Sequence, residues 1–154
     1  MNEIDKRLAE LGIELAPPAK PVANYVGWVR TGNLVFTAGQ ITLKDGNVEY
    51  KGKVGKDFTV EEGAAAARIC ATNILAQLKD ACGGDLTRVK RIVKLVGFVN
   101  GTPEFVDHPK VINGASDLMV EVLGEAGRHA RAAVSVPSLP LGVAVEIDAV
   151  FELA

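Results

Sequence analysis

Hydrophobic positions along the chain change their period several times, and each change marks an element. Ile4, Leu8 and Leu11 recur at helical spacing and predict a short helix over residues 2–11. Pro17, Pro18 and Pro21 stop it, since proline lacks a donor and clashes with the preceding turn, and an extended lead-in follows. Residues 25–29 and 34–38 are runs rich in β-branched and aromatic side chains, and Gly32-Asn33 between them tolerates the positive φ of a hairpin turn. Asp45-Gly46 marks a second turn, between 41–43 and 48–50. Thr59 and Glu62 have the spacing of a capping box, in which each side chain satisfies the other residue's free N–H, so a helix is expected to begin there. Ala66, Cys70, Asn73, Ile74, Gln77, Leu78 and Ala81 continue its apolar stripe until Gly83-Gly84, and the small residues at 64–67 suit close packing against a sheet. Valine and isoleucine dominate 89–99, which predicts a central strand. A second long helix is predicted over 108–123, capped by Asp107, striped by Val111, Ala115, Leu118, Met119 and Val122, and closed by Gly124 and Gly127. Residues 132–136 form a short strand, and 143–153 alternate most clearly, with Val143, Val145, Ile147, Ala149 and Phe151 on one side.

The order β-β-α-β-α-β-β predicts an α+β domain with two helices on one face of a mostly antiparallel or mixed sheet. Val35, Val93, Val145 and their alternating neighbours put apolar residues on both sides of several strands, so the second face is expected to be buried against other subunits. The 154 residues fit one domain. Lys plus Arg total 17 against 19 Asp plus Glu, and this balance excludes the basic field that holds nucleic acid through its phosphates. No apolar run reaches the roughly 18 residues that span a bilayer. Residues 1–15 lack the basic and apolar regions of a secretory signal, so a cytoplasmic location is expected. Cys70 and Cys82 fall on one predicted helix about 18 Å apart along its axis. A disulfide needs Cα atoms within about 7 Å, so both are expected as small core residues.

Candidate chemistry is sparse. Residues 46–53 have the wrong glycine spacing for a phosphate loop, and Val54 stands where the magnesium-binding hydroxyl belongs. His108 and His129 are far apart, with no acidic or cysteine cluster at ligand spacing, so no metal is expected. No Gly-x-Ser-x-Gly elbow occurs, and neither cysteine has a neighbouring histidine. What stands out is Arg128-His129-Ala130-Arg131 ahead of a short strand, because an arginine anchored there can offer a planar fork to a carboxylate. Glu146, flanked by Val145 and Ile147, must reach solvent, pair with a cation or line a polar cleft. A structural Arg131–Glu146 ion pair, or a solvated face shared with Asp148, accounts for the same residues.

Two separated segments in the right order resemble the RidA/YjgF family of imine and enamine deaminases. One runs from Ala130-Arg131 through Leu139-Pro140 to Val145-Glu146-Ile147, with the family's interval between arginine and glutamate. The other is Tyr25 followed by Gly32-Asn33-Leu34-Val35-Phe36-Thr37-Ala38-Gly39-Gln40. The resemblance begins near Pro21 and leaves residues 1–20 outside as a helix and lead-in, with the family-like domain over 21–154. It implies a chorismate-mutase-like α+β subunit, a homotrimer with ligand clefts between subunits, and cofactor-independent hydrolysis of reactive 2-imino or 2-enamino acids to 2-oxo acids and ammonia. By resemblance Arg131 holds the substrate carboxylate and Glu146 activates the attacking water, with Tyr25, Gly39, Ala133 and Asn113 lining the cleft. The chain departs from the family with Ala38 in place of serine, Ala133 in place of cysteine, and His129 in place of the proline before Ala-Arg. Backbone N–H groups survive the two alanines, while side-chain hydrogen bonding is lost. Two other readings remain: a noncatalytic trimer that senses a small carboxylate, and an endoribonuclease, which the net charge of −2 disfavours.

Overall fold

The computed structural model describes every residue except 19, which lies in the lead-in expected after the first helix. Helix α1 (Glu3–Glu10) begins at Asn2, whose side-chain oxygen accepts the Asp5 N–H at 2.9 Å. Its Ile4 and Leu8 are buried in the main core, and Arg7 donates to the Val122 carbonyl at 3.2 Å. The proline run that follows therefore changes the character of the chain without separating residues 3–10 from the core of the rest.

Strands β1 (Trp28–Thr31) and β2 (Leu34–Thr37) form the expected hairpin, turning at Gly32 with φ 58°. Strands β3 (Leu43–Lys44) and β4 (Asn47–Val48) make a separate ribbon. Its turn places Asp45 (φ 51°) and Gly46 (φ 80°) in the left-handed region that a tight two-residue hairpin loop requires. Helix α2 (Val60–Ala81) opens with both halves of the capping box: Thr59 Oγ1 accepts the Glu62 N–H at 3.1 Å, and Glu62 Oε1 accepts the Thr59 N–H at 3.0 Å. Strand β5 (Val89–Asn100) leads to α3 (His108–Leu123). Asp107 occupies the N-cap position of α3 but makes no side-chain cap bond. Its backbone (φ −94°, ψ 34°) is not the extended form that aims a cap at the first turn, and its carboxylate sits 3.8 Å from Lys110 Nζ instead. Strands β6 (Ala130–Val136) and β7 (Val145–Leu153) complete the chain. The last strand begins later than its alternation predicts, because the Ala144 N–H is drawn to the Tyr50 carbonyl at 2.8 Å.

The sheet order is β1-β2-β7-β5-β6, with every pair antiparallel except β5–β6. The C-terminal strand thus lies in the middle, between the N-terminal hairpin and β5. Helices α2 and α3 cover one face. A Cβ at Gly97 would strike Ile112 of α3, and one at Gly114 would run into the backbone of Ala64, so the two helices touch main chain to main chain. The small residues at 64–67 therefore serve this helix contact as well as the core, where Ala66, Ala67 and Cys70 are fully buried. Both cysteines are buried free thiols, and Cys70 Sγ donates to the Val145 carbonyl at 3.4 Å.

Along β7, Val145, Ile147, Ala149, Phe151 and Leu153 are buried beneath the helices, while Glu146, Asp148, Val150 and Glu152 lie on the other face. No helix among the described residues covers that second face, and it exposes Val29 (54%), Phe36 (43%) and Val134 (45%).

Candidate active site

Strand register decides which side chains can meet. Arg131 stands opposite Leu95 of β5, and Ala133 opposite Gly97. Leu95 is buried and Gly97 abuts Ile112, so Arg131 and Ala133 belong to the helical face. Glu146 pairs with Phe98, one residue further along β5 and hence on the opposite face. The Arg131–Glu146 ion pair considered from sequence does not form, and the two groups share no hollow within one chain. Strand β5 separates their strands, and the period of two turns them away from each other.

On the helical side Arg131 is tied to α3. Its Nη1 donates to Asn113 Oδ1 at 2.8 Å and to Ser116 Oγ at 3.1 Å, and Nη2 donates to the Pro109 carbonyl at 3.2 Å. Asn113 and Ser116 are one helical turn apart, which puts both on the same side of α3. A guanidinium has five N–H donors, so these three acceptors leave one N–H on Nε and one on Nη2, the number a carboxylate takes in a bidentate pair. Among the described residues no carboxylate forms an ion pair with Arg131. Its charge faces an open cavity of about 330 Å³ lined by Asn113, Ser116, Asp117, Arg128 and His129 together with Arg131 itself. His129 is held there by Nδ1, 2.6 Å from the Gly127 carbonyl, with Nε2 2.8 Å from Ser116 Oγ. Ala133 adds no polar group and packs against the core.

Sequence reasoning missed Ser116 and the Pro109 carbonyl, and singled out His129 only as part of the charged segment and as a departure from the family pattern. Position 129, just ahead of β6, lies two residues before 131, and 116 shares a helix face with 113, so the signal lay in period rather than in any motif.

The other cluster surrounds Glu146. Gln40 and Ile147 exchange backbone hydrogen bonds at 2.7 and 3.0 Å, which pins Gly39 beside Glu146. A Cβ at position 39 would meet Glu146 Oε2, so the carboxyl packs directly against the Gly39 main chain and would have to swing aside for a larger residue. The Ala38 N–H donates to the Gly27 carbonyl at 2.8 Å, so the loop carrying Tyr25 flanks this cluster rather than Arg131, and the Tyr25 ring is exposed. Burial raises the Glu146 carboxyl above its ordinary range, and the charge of Asp148 raises it further. Asp148 is itself raised by burial, with Lys94 acting against the shift. Among the described residues no cation pairs with Glu146.

The six residues expected from sequence thus divide. Arg131, Asn113 and Ala133 gather on the helical side, and Glu146, Gly39 and the Tyr25 loop gather on the other. The first cluster presents a guanidinium with two uncommitted N–H groups to an open cavity, and the second holds two half-buried carboxyls side by side. No three His, Cys, Asp or Glu side chains converge as metal ligands among the described residues. No helix among them is long and apolar enough to cross a membrane.

This architecture, an antiparallel sheet with one parallel edge pair backed by two helices, is of the YjgF/chorismate-mutase-like class. The chain belongs to the YjgF/RidA family, matching over residues 5–153 the family model described as "YjgF/chorismate_mutase-like, putative endoribonuclease". The match starts inside α1, earlier than the sequence resemblance at residue 21. The chain is 49% identical over 153 residues to Protein TCP17 of Trypanosoma cruzi, covering 99% of this chain and 95% of that protein. The structure of the protein Atu1372 from Agrobacterium tumefaciens, of unknown function, is 49% identical with a TM-score of 0.93, covering 98% of this chain and 92% of the other. The YjgF gene product of E. coli is 27% identical with a TM-score of 0.63, covering 88% and 93%.

Proposed function

We propose that the protein is a cofactor-independent deaminase that hydrolyses reactive 2-imino or 2-enamino acids to 2-oxo acids and ammonia, in clefts between the subunits of a homotrimer. The observation that carries this reading is Arg131, held by three neutral acceptors, with no carboxylate partner among the described residues and with two N–H groups to spare. A small carboxylate completes that arrangement, and a charge-assisted pair of this kind contributes about 1.5–3 kcal/mol.

The imine carbon beside the carboxylate is already electrophilic, so fixing the anion and delivering water is most of the task. Glu146, its carboxyl raised by burial, takes a proton from the attacking water and returns one to the departing nitrogen, and the same group serves enamine-to-imine tautomerisation. Water adds at C2, the C–N bond breaks, ammonia leaves, and a 2-oxo acid remains. A positioned acid–base group of this type contributes about 10² to 10⁴ in rate. Because Arg131 and Glu146 lie on opposite faces of one chain, a cleft containing both draws Arg131 from one subunit and Glu146 from its neighbour. Buried free thiols suit the reducing cytoplasm in which we place it.

Complementation tests the proposal. Arg131→Ala and Glu146→Gln are each expected to abolish acceleration of 2-oxo acid release from 2-aminoacrylate generated in situ. Refolding the two variants together should restore part of it, since some clefts then receive both intact groups. Absence of acceleration by the native protein over buffer overturns the reading, and absence of recovery in the mixture overturns the shared cleft.

A second reading has its own support. The Arg131 cluster is complete without Glu146, as a noncatalytic sensor of small carboxylates requires. In that case Glu146→Gln leaves both ligand binding and biological effect intact. RNA as the substrate is disfavoured by the net charge of −2.

A further inference from the structure

The Arg131 cavity holds a histidine that the proposed reaction does not use. His129 is tied at both ring nitrogens: Nδ1 lies 2.6 Å from the Gly127 carbonyl, and Nε2 lies 2.8 Å from Ser116 Oγ, which in turn accepts from Arg131 Nη1 at 3.1 Å. A carbonyl oxygen only accepts, so Nδ1 carries a hydrogen whether the ring is neutral or charged. In the neutral ring Nε2 is therefore a lone pair, and the serine hydroxyl donates to it. In the charged ring Nε2 donates instead, and the two lone pairs of Ser116 receive His129 and Arg131 together. Either way the bond from Arg131 to Ser116 survives, so the guanidinium stays where Asn113, Ser116 and the Pro109 carbonyl hold it. What protonation changes is charge: a second cation appears one hydroxyl away from the first.

The geometry points to His129 as a pH-sensitive switch that sets how strongly Arg131 attracts a carboxylate, protonation strengthening the grip and deprotonation relaxing it. Two cations joined through one hydroxyl repel, and an anion on Arg131 offsets that repulsion, so ligand and proton favour each other's binding by the same factor. Imidazole is the side chain whose ordinary titration falls between about pH 5 and 8. The other charges lining its cavity are Asp117 from α3, Arg128 from the turn before β6, ion-paired with Glu125 at 3.2 Å, and Arg131 itself from the strand. Glu121, one turn beyond Asp117, pairs with Arg68 of α2, and Lys94 of β5, opposite Ala130, belongs to the other face. Exposed carboxylates and guanidiniums ordinarily keep their charge across that range, so on this side of the sheet the histidine is the group that changes. This inference rests on the carboxylate-binding reading of Arg131 and adds its regulation.

Pyruvate, whose carboxyl is ionised throughout this range, is the probe. Titration calorimetry on the native protein should show it binding about fivefold more tightly at about pH 5.5 than at about pH 8, the order that an added unit charge within roughly a Debye length contributes near a protein surface. His129→Gln, which keeps an uncharged hydrogen-bonding group there, should abolish the difference, and Arg131→Ala should lose the ligand at both pH values. Glu146→Gln should retain the difference, which separates the switch from a titration of the candidate acid in a neighbouring subunit. In the native protein, pyruvate should also move the NMR titration midpoint of the His129 ring upward, by the same factor in proton affinity, a readout that needs no substitution. Equal affinity at the two pH values, with binding lost in Arg131→Ala, overturns the switch and leaves the carboxylate site standing. A difference that survives in His129→Gln or vanishes in Glu146→Gln does the same, as does a ring midpoint indifferent to pyruvate. Native-like binding by Arg131→Ala, or no binding by the native protein at either pH, removes the carboxylate reading and this inference with it.

Discussion

On the proposed reading arginine rather than lysine matters at position 131, because five donors in a fixed plane satisfy three protein acceptors and still leave two N–H groups uncommitted. A lysine ammonium has three donors and no plane. Arg131→Lys is expected to lower kcat/KM at least tenfold while changing the melting temperature little, since the contacts it loses lie at a cavity rim open to water. A large drop in melting temperature would instead mark Arg131 as scaffold. Glu146 behaves in the opposite sense. Burial, then Asp148, raises its carboxyl in the folded state, so the native protein holds that proton more tightly than the unfolded chain does. Its contribution to stability is fully present below the unfolded value, near 4.3, and is lost as pH rises through the higher folded value. Glu146→Gln, which cannot ionise, should therefore melt above the native protein at pH 7, with the gain vanishing near pH 4, even as activity is lost. Calorimetry at the two pH values checks this, and a variant less stable than native at pH 7 contradicts it.

Among the elements, α3 sets the site, because it presents Asn113 and Ser116 to Arg131 while its other side packs on α2 and the sheet. Its position depends on Gly114, where any side chain would enter the backbone of Ala64. Gly114→Ala should cost about 1–3 kcal/mol by overpacking and, by pushing α3 away, weaken carboxylate binding as well. Thr59→Ala, which removes one side of the capping box at the far helix, should cost about 1 kcal/mol and leave binding alone. Chemical denaturation paired with ligand titration distinguishes the two. All three helices, both hairpins and the alternating last strand were legible in the sequence because a capping box, turn residues and periods of 2 and 3.6 are local. Strand order was not, since nothing near residues 145–153 says that they lie between β2 and β5. For the same reason Arg131 and Glu146 read as partners from their interval, whereas the register through Leu95 and Phe98 turns them to opposite faces. Asp107 had the right place and the wrong backbone angles for a cap, a detail below the reach of residue type.

For the molecule as a whole, the face bearing Glu146 carries apolar side chains that no described helix covers. Leu34 pairs with Glu152, Phe36 with Val150, and Val134 lies beside Phe98, which pairs with Glu146, so their exposed apolar side chains share one surface with the candidate acid. Water against such a patch is costly at roughly 25 cal/mol per Å², and covering it with other copies of the chain relieves that cost. It would also seal Glu146 and Asp148 further from solvent, raising their carboxyls more. A charge placed there, as in Phe36→Glu or Val134→Glu, should therefore release single subunits while leaving the far-ultraviolet circular dichroism unchanged, because neither side chain belongs to the helix-covered core. The two functions should then part. Arg131 keeps its three acceptors within one chain, so the single subunits should still bind a small carboxylate such as pyruvate, though more weakly once the neighbouring wall is gone. They should not release 2-oxo acid, because Glu146 of an adjacent subunit no longer reaches the ligand. Light scattering, calorimetry and the deaminase assay on the same preparation decide the matter, and full turnover by a dissociated subunit would show that one chain suffices.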